Sequence, residues 1–207
     1  KSKKKIHLIL ITSDKVYENN EWIWGYREND TLGGKDPYSL SKAMAEFSIK
    51  AYMQIIRNDK KLNKNLSISI GRAGNVIGGA DWAKNRLVPD CVSAWSKGNS
   101  VFVRNPSSTR PWQHVFEPLS GYLQIARYSY LNKIKNGEAY NFGPRLSSNK
   151  SVKILIKSLM KEWPESKVTF NKTKSILKKE AGLLSLNYDK SLSLLKWEPV
   201  LNFDDNI

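Results

Sequence analysis

The chain has 207 residues, 40% of them hydrophobic, and a formal net charge of +15 from 34 Lys and Arg against 19 Asp and Glu. That content supports one large folded domain, or one and a half small ones, and excludes a disordered chain; no apolar run reaches the length of a membrane span. A single cysteine, Cys91, excludes a disulfide framework, and two histidines, His7 and His114, argue against a zinc centre.

The start, KSKKK, is basic, but the apolar run after it is short and lacks a small-residue cleavage site, so it does not read as a signal peptide. A cytoplasmic protein is expected. Residues 6–12 read as a strand buried on both faces. This strand runs straight into Thr12, Ser13, Asp14 and Lys15, two hydroxyls followed by a carboxylate and an ammonium. Asp36-Pro37 opens a long helix to about Asn58, with Pro37 suited to its first turn. Alternating LSISI, residues 66–70, is a second strand, followed by a glycine-rich loop, GRAGNVIGG, over 71–79. A helix is expected near 87–97 and a short strand at 101–103, with RNPSSTRPWQ as loop. Residues 117–133 read as a helix, 138–142 as a strand, 151–162 as a helix and 167–170 as a strand. A short helix, DKSLSLLKW, lies in the tail. Strands separated by helices argue for an α/β fold with a mainly parallel sheet. Ligands of such sheets sit at the carboxyl ends of the strands, where Ser13 and Asp14 lie.

The basic balance suits anionic partners in general. The 26 lysines are scattered along the chain, however, as on a solvated surface. Trp82, Trp95, Trp112, Trp163 and Trp197 fall in apolar or loop contexts that favour packing, and no basic–aromatic stripe suggests base stacking. A basic nucleic-acid-binding module is therefore the weaker alternative. Trp22 and Trp24, in NNEWIWGYREND, suit a flap over a substrate.

In YSLSK, Tyr38 and Lys42 are four residues apart and share a helix face. A nearby ammonium stabilises a phenolate and makes a tyrosine usable as a base. Nine tyrosines and 26 lysines give roughly one such pair by chance, so the context carries the weight. The pair begins 25 residues after Ser13, on the helix that follows the strand ending at Ser13.

That combination resembles the extended branch of the short-chain dehydrogenase/reductase superfamily. TSDKVYEN resembles the active-site strand end of nucleotide-sugar 4,6-dehydratases. GRAGNVIGGADWAKNRLVPD, STRPWQHVFEPLSGY, EAYNFGP and the tail EAGLLSLNYDKSLSLLKWEPV are similar to the CDP-glucose 4,6-dehydratases, in order and over nearly the whole chain. The resemblance implies the carboxyl-terminal part of an NAD(P)-binding Rossmann-like fold with a smaller substrate-binding domain. Residues 1–71 would be the remainder of the Rossmann-like domain. Residues 72–207 would be mainly the nucleotide-sugar domain, with interleaved Rossmann strands. The amino-terminal part of the family, with its GxxGxxG turn, is expected to be missing. GRAGNVIGG has the wrong glycine spacing for that turn and suits a substrate loop, with Asn75 as donor and acceptor.

The resemblance further implies NAD as cofactor, CDP-glucose as substrate and a homodimer through the Tyr38 helix. Tyr38 would take the proton from the sugar 4-hydroxyl, Ser13 would hold that oxygen, and Lys42 would lower the Tyr38 pKa and bind the nicotinamide ribose. Asp14 would protonate the hydroxyl leaving carbon 6, given a pKa raised by burial. Lys15 stands at the position of the carbon-5 base. An ammonium cannot accept a proton, so Lys15 is either neutral at that step or stabilises the enolate while another group is the base. Arg110, followed by Arg86, is the candidate for the substrate pyrophosphate. Arg72 and Arg104 read as surface ion pairs, and His114 as a hydrogen-bonded structural residue. Another nucleotide-sugar dehydratase or an epimerase of the same family is the remaining enzymatic alternative, and the chain alone is a candidate inactive fragment.

Overall fold

The computed structural model describes residues 4–171 and 183–207. In chain order it contains β1 (Ile6–Ile11), α1 (Pro37–Asn58), α2 (Lys60–Asn65), β2 (Leu66–Ala73), β3 (Val76–Ile77), α3 (Leu87–Trp95) and β4 (Ser100–Val103). There follow β5 (Thr109–Pro111), β6 (Gln113–His114), α4 (Phe116–Tyr130), β7 (Ala139–Phe142), β8 (Asn149–Ser151), α5 (Val152–Glu162), β9 (Lys167–Phe170) and α6 (Asp189–Leu195). The first three residues of the basic start and Glu180, Ala181 and Gly182 of the tail motif lie outside the described residues.

The main sheet has the order β1-β2-β7, all parallel, with Ile6 opposite Leu66 and Ile70 opposite Ala139. Strand alternation sorts its side chains into two layers. One face presents Leu10, Leu66 and Ile68 to Ile49, Met53 and Ile56 of α1. The other presents Ile9, Tyr140 and Phe142 to Tyr122 and Ile125 of α4 and to Leu195 of α6. α4 lies so close to β7 that a Cβ on Gly121 would come within 2.2 Å of the Phe142 ring, so only glycine fits there. A second core joins α3, β4, β9 and α5 through Cys91, Trp95, Val103 and Ile156, with Trp112, Leu155 and Phe203 beside it.

α1 starts where its cap predicts. The Asp36 carboxylate accepts from the backbone N–H of Tyr38 and Ser39, each at 3.0 Å, and Pro37 fills the first turn. The same carboxylate accepts from the Ser39 hydroxyl, and these bonds hold its pKa below the ordinary carboxylate value.

Four segments differ from the sequence expectation. β1 is not buried on both faces: it pairs only with β2 among the described residues, and Ile6, Leu8 and Ile11 are exposed. A short helix not expected from the sequence, α2, follows α1 where the Asp59 side chain caps it by accepting from the Lys61 and Leu62 N–H. RNPSSTRPWQ is not all loop: β5 pairs antiparallel with β8, Arg110 opposite Lys150. Three residues are too few to show an alternation, and their partner lies some forty residues away in the chain. GRAGNVIGG is likewise not all loop, because β2 continues through Ala73 and β3 pairs with β6.

Candidate active site

β1 ends at Ile11, and its carboxyl end delivers a single 3-10 turn, Asp14–Val16, capped by Ser13. The Ser13 Oγ accepts from the Lys15 N–H at 3.0 Å and donates to Asp14 Oδ1 at 2.9 Å. Asp14 is 3% exposed. Its other carboxyl oxygen, Oδ2, is buried with no hydrogen-bond partner among the described residues. Burial pushes the Asp14 pKa above the ordinary carboxylate value, against the opposing effects of Lys15, the Ser13 hydroxyl and Arg110.

Tyr38 and Lys42 stand on the first turns of α1, on the stripe that continues through Glu46, Ile49, Met53 and Ile56. The Lys42 ammonium lies 5.6 Å from the centroid of the Tyr38 ring, and Tyr38 is half exposed. The lower part of this stripe rests on the sheet, so its upper part is carried toward the strand ends where the Ser13 turn lies.

Arg110, on β5, is buried. It donates through Nη1 to the Thr109 carbonyl at 2.7 Å, and its charge acts on Asp14. Arg86 is exposed at the amino end of α3. Asn75 is half buried between β2 and β3, and its carbonyl accepts from the Gln113 N–H at 3.0 Å. The glycines around it are filled by the protein itself. A Cβ at Gly71, Gly74 or Gly78 would meet Tyr122, Pro111 or Val115 within 3 Å, whereas Gly79 faces open space. The Trp22–Trp24 segment is anchored by Trp22, which packs on Tyr26 beside Leu184 and Leu186, while Ile23 and Trp24 are exposed. His114 accepts through Nδ1 from the Phe116 N–H at 3.2 Å.

Under this turn lies a polar network that sequence reasoning missed. Arg72 is fully buried, not at the surface as expected. It donates through Nε to Glu46 Oε1 at 2.7 Å and through Nη2 to Glu46 Oε2, a two-pronged pair on the α1 face of the sheet. Its Nη1 donates to the Tyr17 hydroxyl at 2.6 Å and to the Glu28 carbonyl at 3.0 Å. Thr12 donates to Glu46 Oε1 at 2.7 Å, and the Tyr17 hydroxyl donates to Asn141 Oδ1 on β7 at 2.7 Å. Burial pushes the Tyr17 pKa well up, which keeps the proton it donates. The available signal was a carboxylate at position 46 on the stripe that continues through apolar Ile49, Met53 and Ile56, and a guanidinium continuing the alternation Leu66, Ile68, Ile70. Each, buried, requires a partner.

Residues 1–207 match the GDP-mannose 4,6-dehydratase family. The chain is 42% identical over 193 residues to a CDP-glucose 4,6-dehydratase of Salmonella typhimurium, covering 93% of this chain and 54% of that protein. The chain thus spans about half the length of this curated relative. Its fold matches dTDP-glucose 4,6-dehydratase from Bacillus anthracis, solved with NAD, at a TM-score of 0.74 and 20% identity over 97% of this chain and 58% of that one. It also matches UDP-glucose 4-epimerase from Thermotoga maritima, solved with UDP-glucose, at 0.76 and 17% over 97% and 60%. The fold is therefore the Rossmann-like α/β fold of these enzymes.

Proposed function

The chain belongs to the GDP-mannose 4,6-dehydratase family, and on that premise we propose that it carries the catalytic and sugar-binding part of a CDP-glucose 4,6-dehydratase. The reaction is the conversion of CDP-D-glucose to CDP-4-dehydro-6-deoxy-D-glucose with loss of water. One observation carries this reading. A buried carboxyl with a raised pKa, Asp14, stands beside the Ser13 hydroxyl and the Lys15 ammonium on one turn at the end of β1. A 4-epimerase has no need of an acid for a leaving hydroxyl, so this feature favours dehydration over the epimerase reading.

The residues present fit the nicotinamide-ribose end of NAD. Tyr38 and Lys42 share an accessible helix face, with the ammonium over the Tyr38 ring, 5.6 Å from its centroid. When bound, NAD supplies the acceptor and later the donor of the hydride. Tyr38 takes the proton of the sugar 4-hydroxyl, and Ser13 holds that oxygen. The resulting ketone acidifies the proton on carbon 5, where Lys15 acts in one of the two roles set out above. Asp14 gives its proton to the hydroxyl that leaves carbon 6, which departs as water. Arg110 takes the pyrophosphate, whose negative charge answers a buried guanidinium, with Arg86 and Asn75 at the outer part of the sugar-nucleotide site.

A cytoplasmic location follows from the proposed substrate, an activated sugar nucleotide. We further assign a homodimer through the outer face of α1, where Leu40, Met44, Phe47 and Ile55 are all exposed.

The reading is tested by supplying the protein that carries this sequence with NAD and, separately, the CDP, dTDP, UDP and GDP derivatives of its sugar. Mass spectrometry should show loss of one water from CDP-glucose with the highest kcat/KM. Turnover confined to another nucleotide would move the specificity, and inversion at carbon 4 without loss of water would replace the dehydratase by an epimerase.

A further inference from the structure

We infer that the buried Glu46–Arg72 pair is a positioning device that sets how α1 presents Tyr38 and Lys42 to the Ser13–Val16 turn. The inference rests on the dehydratase reading for its catalytic consequence, and on the geometry alone for its mechanical one.

The pair sits where both catalytic segments can be indexed to one group. Glu46 is one helical turn below Lys42 and two below Tyr38 on the same stripe of α1, so Lys42 lies about 6 Å further along the axis. Thr12 directly precedes Ser13 and donates to Glu46. Tyr17 directly follows Val16 and accepts from Arg72. The Asp14–Val16 turn is therefore held at both ends by the same two charged groups that hold the helix. The guanidinium also lies 4.9 Å from the centroid of the Tyr17 ring. On the far side, Asn141 carries the network into β7 and donates to the carbonyls of Tyr26 and Asn187, at 2.8 and 3.1 Å.

Stability alone is a weak reason for such a pair. Burying two charges costs desolvation that their attraction roughly offsets, and apolar replacements of similar volume are often neutral or stabilising. What an ion pair adds is direction. A planar fork holding a carboxylate by two bonds fixes rotation and depth together, which sliding contacts such as Met53 on Ile68 do not. Apolar packing anchors the lower half of α1, and the fork anchors it next to the chemistry.

Two variants separate positioning from folding: Arg72→Lys, which keeps a charge and loses the fork, and the double apolar variant Glu46→Leu/Arg72→Met. The expected result is a folded protein whose kcat falls by roughly tenfold or more, the consequence of displacing reacting groups by a fraction of an ångström to an ångström. KM for CDP-glucose should stay within about threefold, since ground-state binding is left in place. The deuterium isotope effect with CDP-glucose labelled at carbon 4 should rise, because hydride removal becomes slower. Hydrogen–deuterium exchange should quicken over residues 13–17 and 38–46 while residues 49–58 stay protected.

Wild-type kcat and isotope effect in both variants would overturn the inference. So would a kcat that falls only in step with the folded fraction, or loss of folding in both, since each assigns the pair to stability. If the wild-type protein makes no 4-keto sugar, the dehydratase reading fails by itself. Exchange then decides the inference, and unchanged protection over 13–17 and 38–46 overturns it.

Discussion

Asp14 occupies a place that an ionised carboxylate would leave if the backbone allowed it. One oxygen accepts from Ser13 and the other is buried without a partner among the described residues. The folded state therefore binds the Asp14 proton more tightly than the unfolded chain does. A carboxyl whose folded pKa is raised makes the fold lose stability as pH rises from the ordinary carboxylate value through the raised one. Asp14→Asn removes that dependence. Its melting temperature relative to wild type should be higher at pH 8 than at pH 3, below the ordinary carboxylate value. A difference between the two proteins that does not change with pH would contradict the raised value. The places of Ser13 and Asp14 at a strand end, and of Tyr38 and Lys42 on one helix face, were legible in the sequence because a strand end and a four-residue spacing mark them. Arg72 was not, because a guanidinium in a strand looks the same in sequence whether it meets water or Glu46. Its partner is 26 residues away on another element, and only the parallel register of β1 and β2 under α1 brings them together.

Helix α1 has two unlike faces, and both follow from its 3.6-residue period. The inner stripe runs from Tyr38 through Lys42 and Glu46 to Ile49, Met53 and Ile56, changing from polar to apolar core residues along its length. The outer stripe, Leu40, Met44, Phe47 and Ile55, is apolar and exposed, each residue at least 46% accessible. A second copy of the chain covering this stripe would bury it and stiffen the helix that carries Tyr38. The variant Met44→Lys/Phe47→Lys should shift the protein to a monomer in sedimentation or light scattering, with its α-helical circular dichroism retained. Dimerisation unaffected by both lysines would exclude this face. Long elements such as α1, α4 and β2 were readable because many residues repeat their period. β3, β5, β6 and β8, of two or three residues each, were not, because their existence depends on partners rather than on any local pattern. The glycines of GRAGNVIGG are ambiguous in sequence for a related reason. A glycine required by close approach looks the same whether the neighbour is a ligand or, as at Gly74, Pro111 of the same chain.

The parts meet at one end of the main sheet. β1, β2 and β7 run parallel, so their carboxyl ends lie together, and the 3-10 turn after β1, the upper stripe of α1 and the Arg110 strand converge there. β1 pairs on one side only among the described residues, with Ile6, Leu8 and Ile11 exposed. An open strand of this kind is a surface for further β-pairing. No helix among the described residues is long and apolar enough to cross a membrane. The proposed chemistry begins at Tyr38, and removing its hydroxyl alone tests this most directly. In the protein that carries this sequence, supplied with NAD and CDP-glucose, Tyr38→Phe should lower the rate of 4-keto sugar formation by a factor on the order of 100 or more, the contribution of a positioned acid–base group. CDP-glucose should bind to it as to the unaltered protein. Formation of the 4-keto product at a near-normal rate by Tyr38→Phe would contradict the assignment of this site.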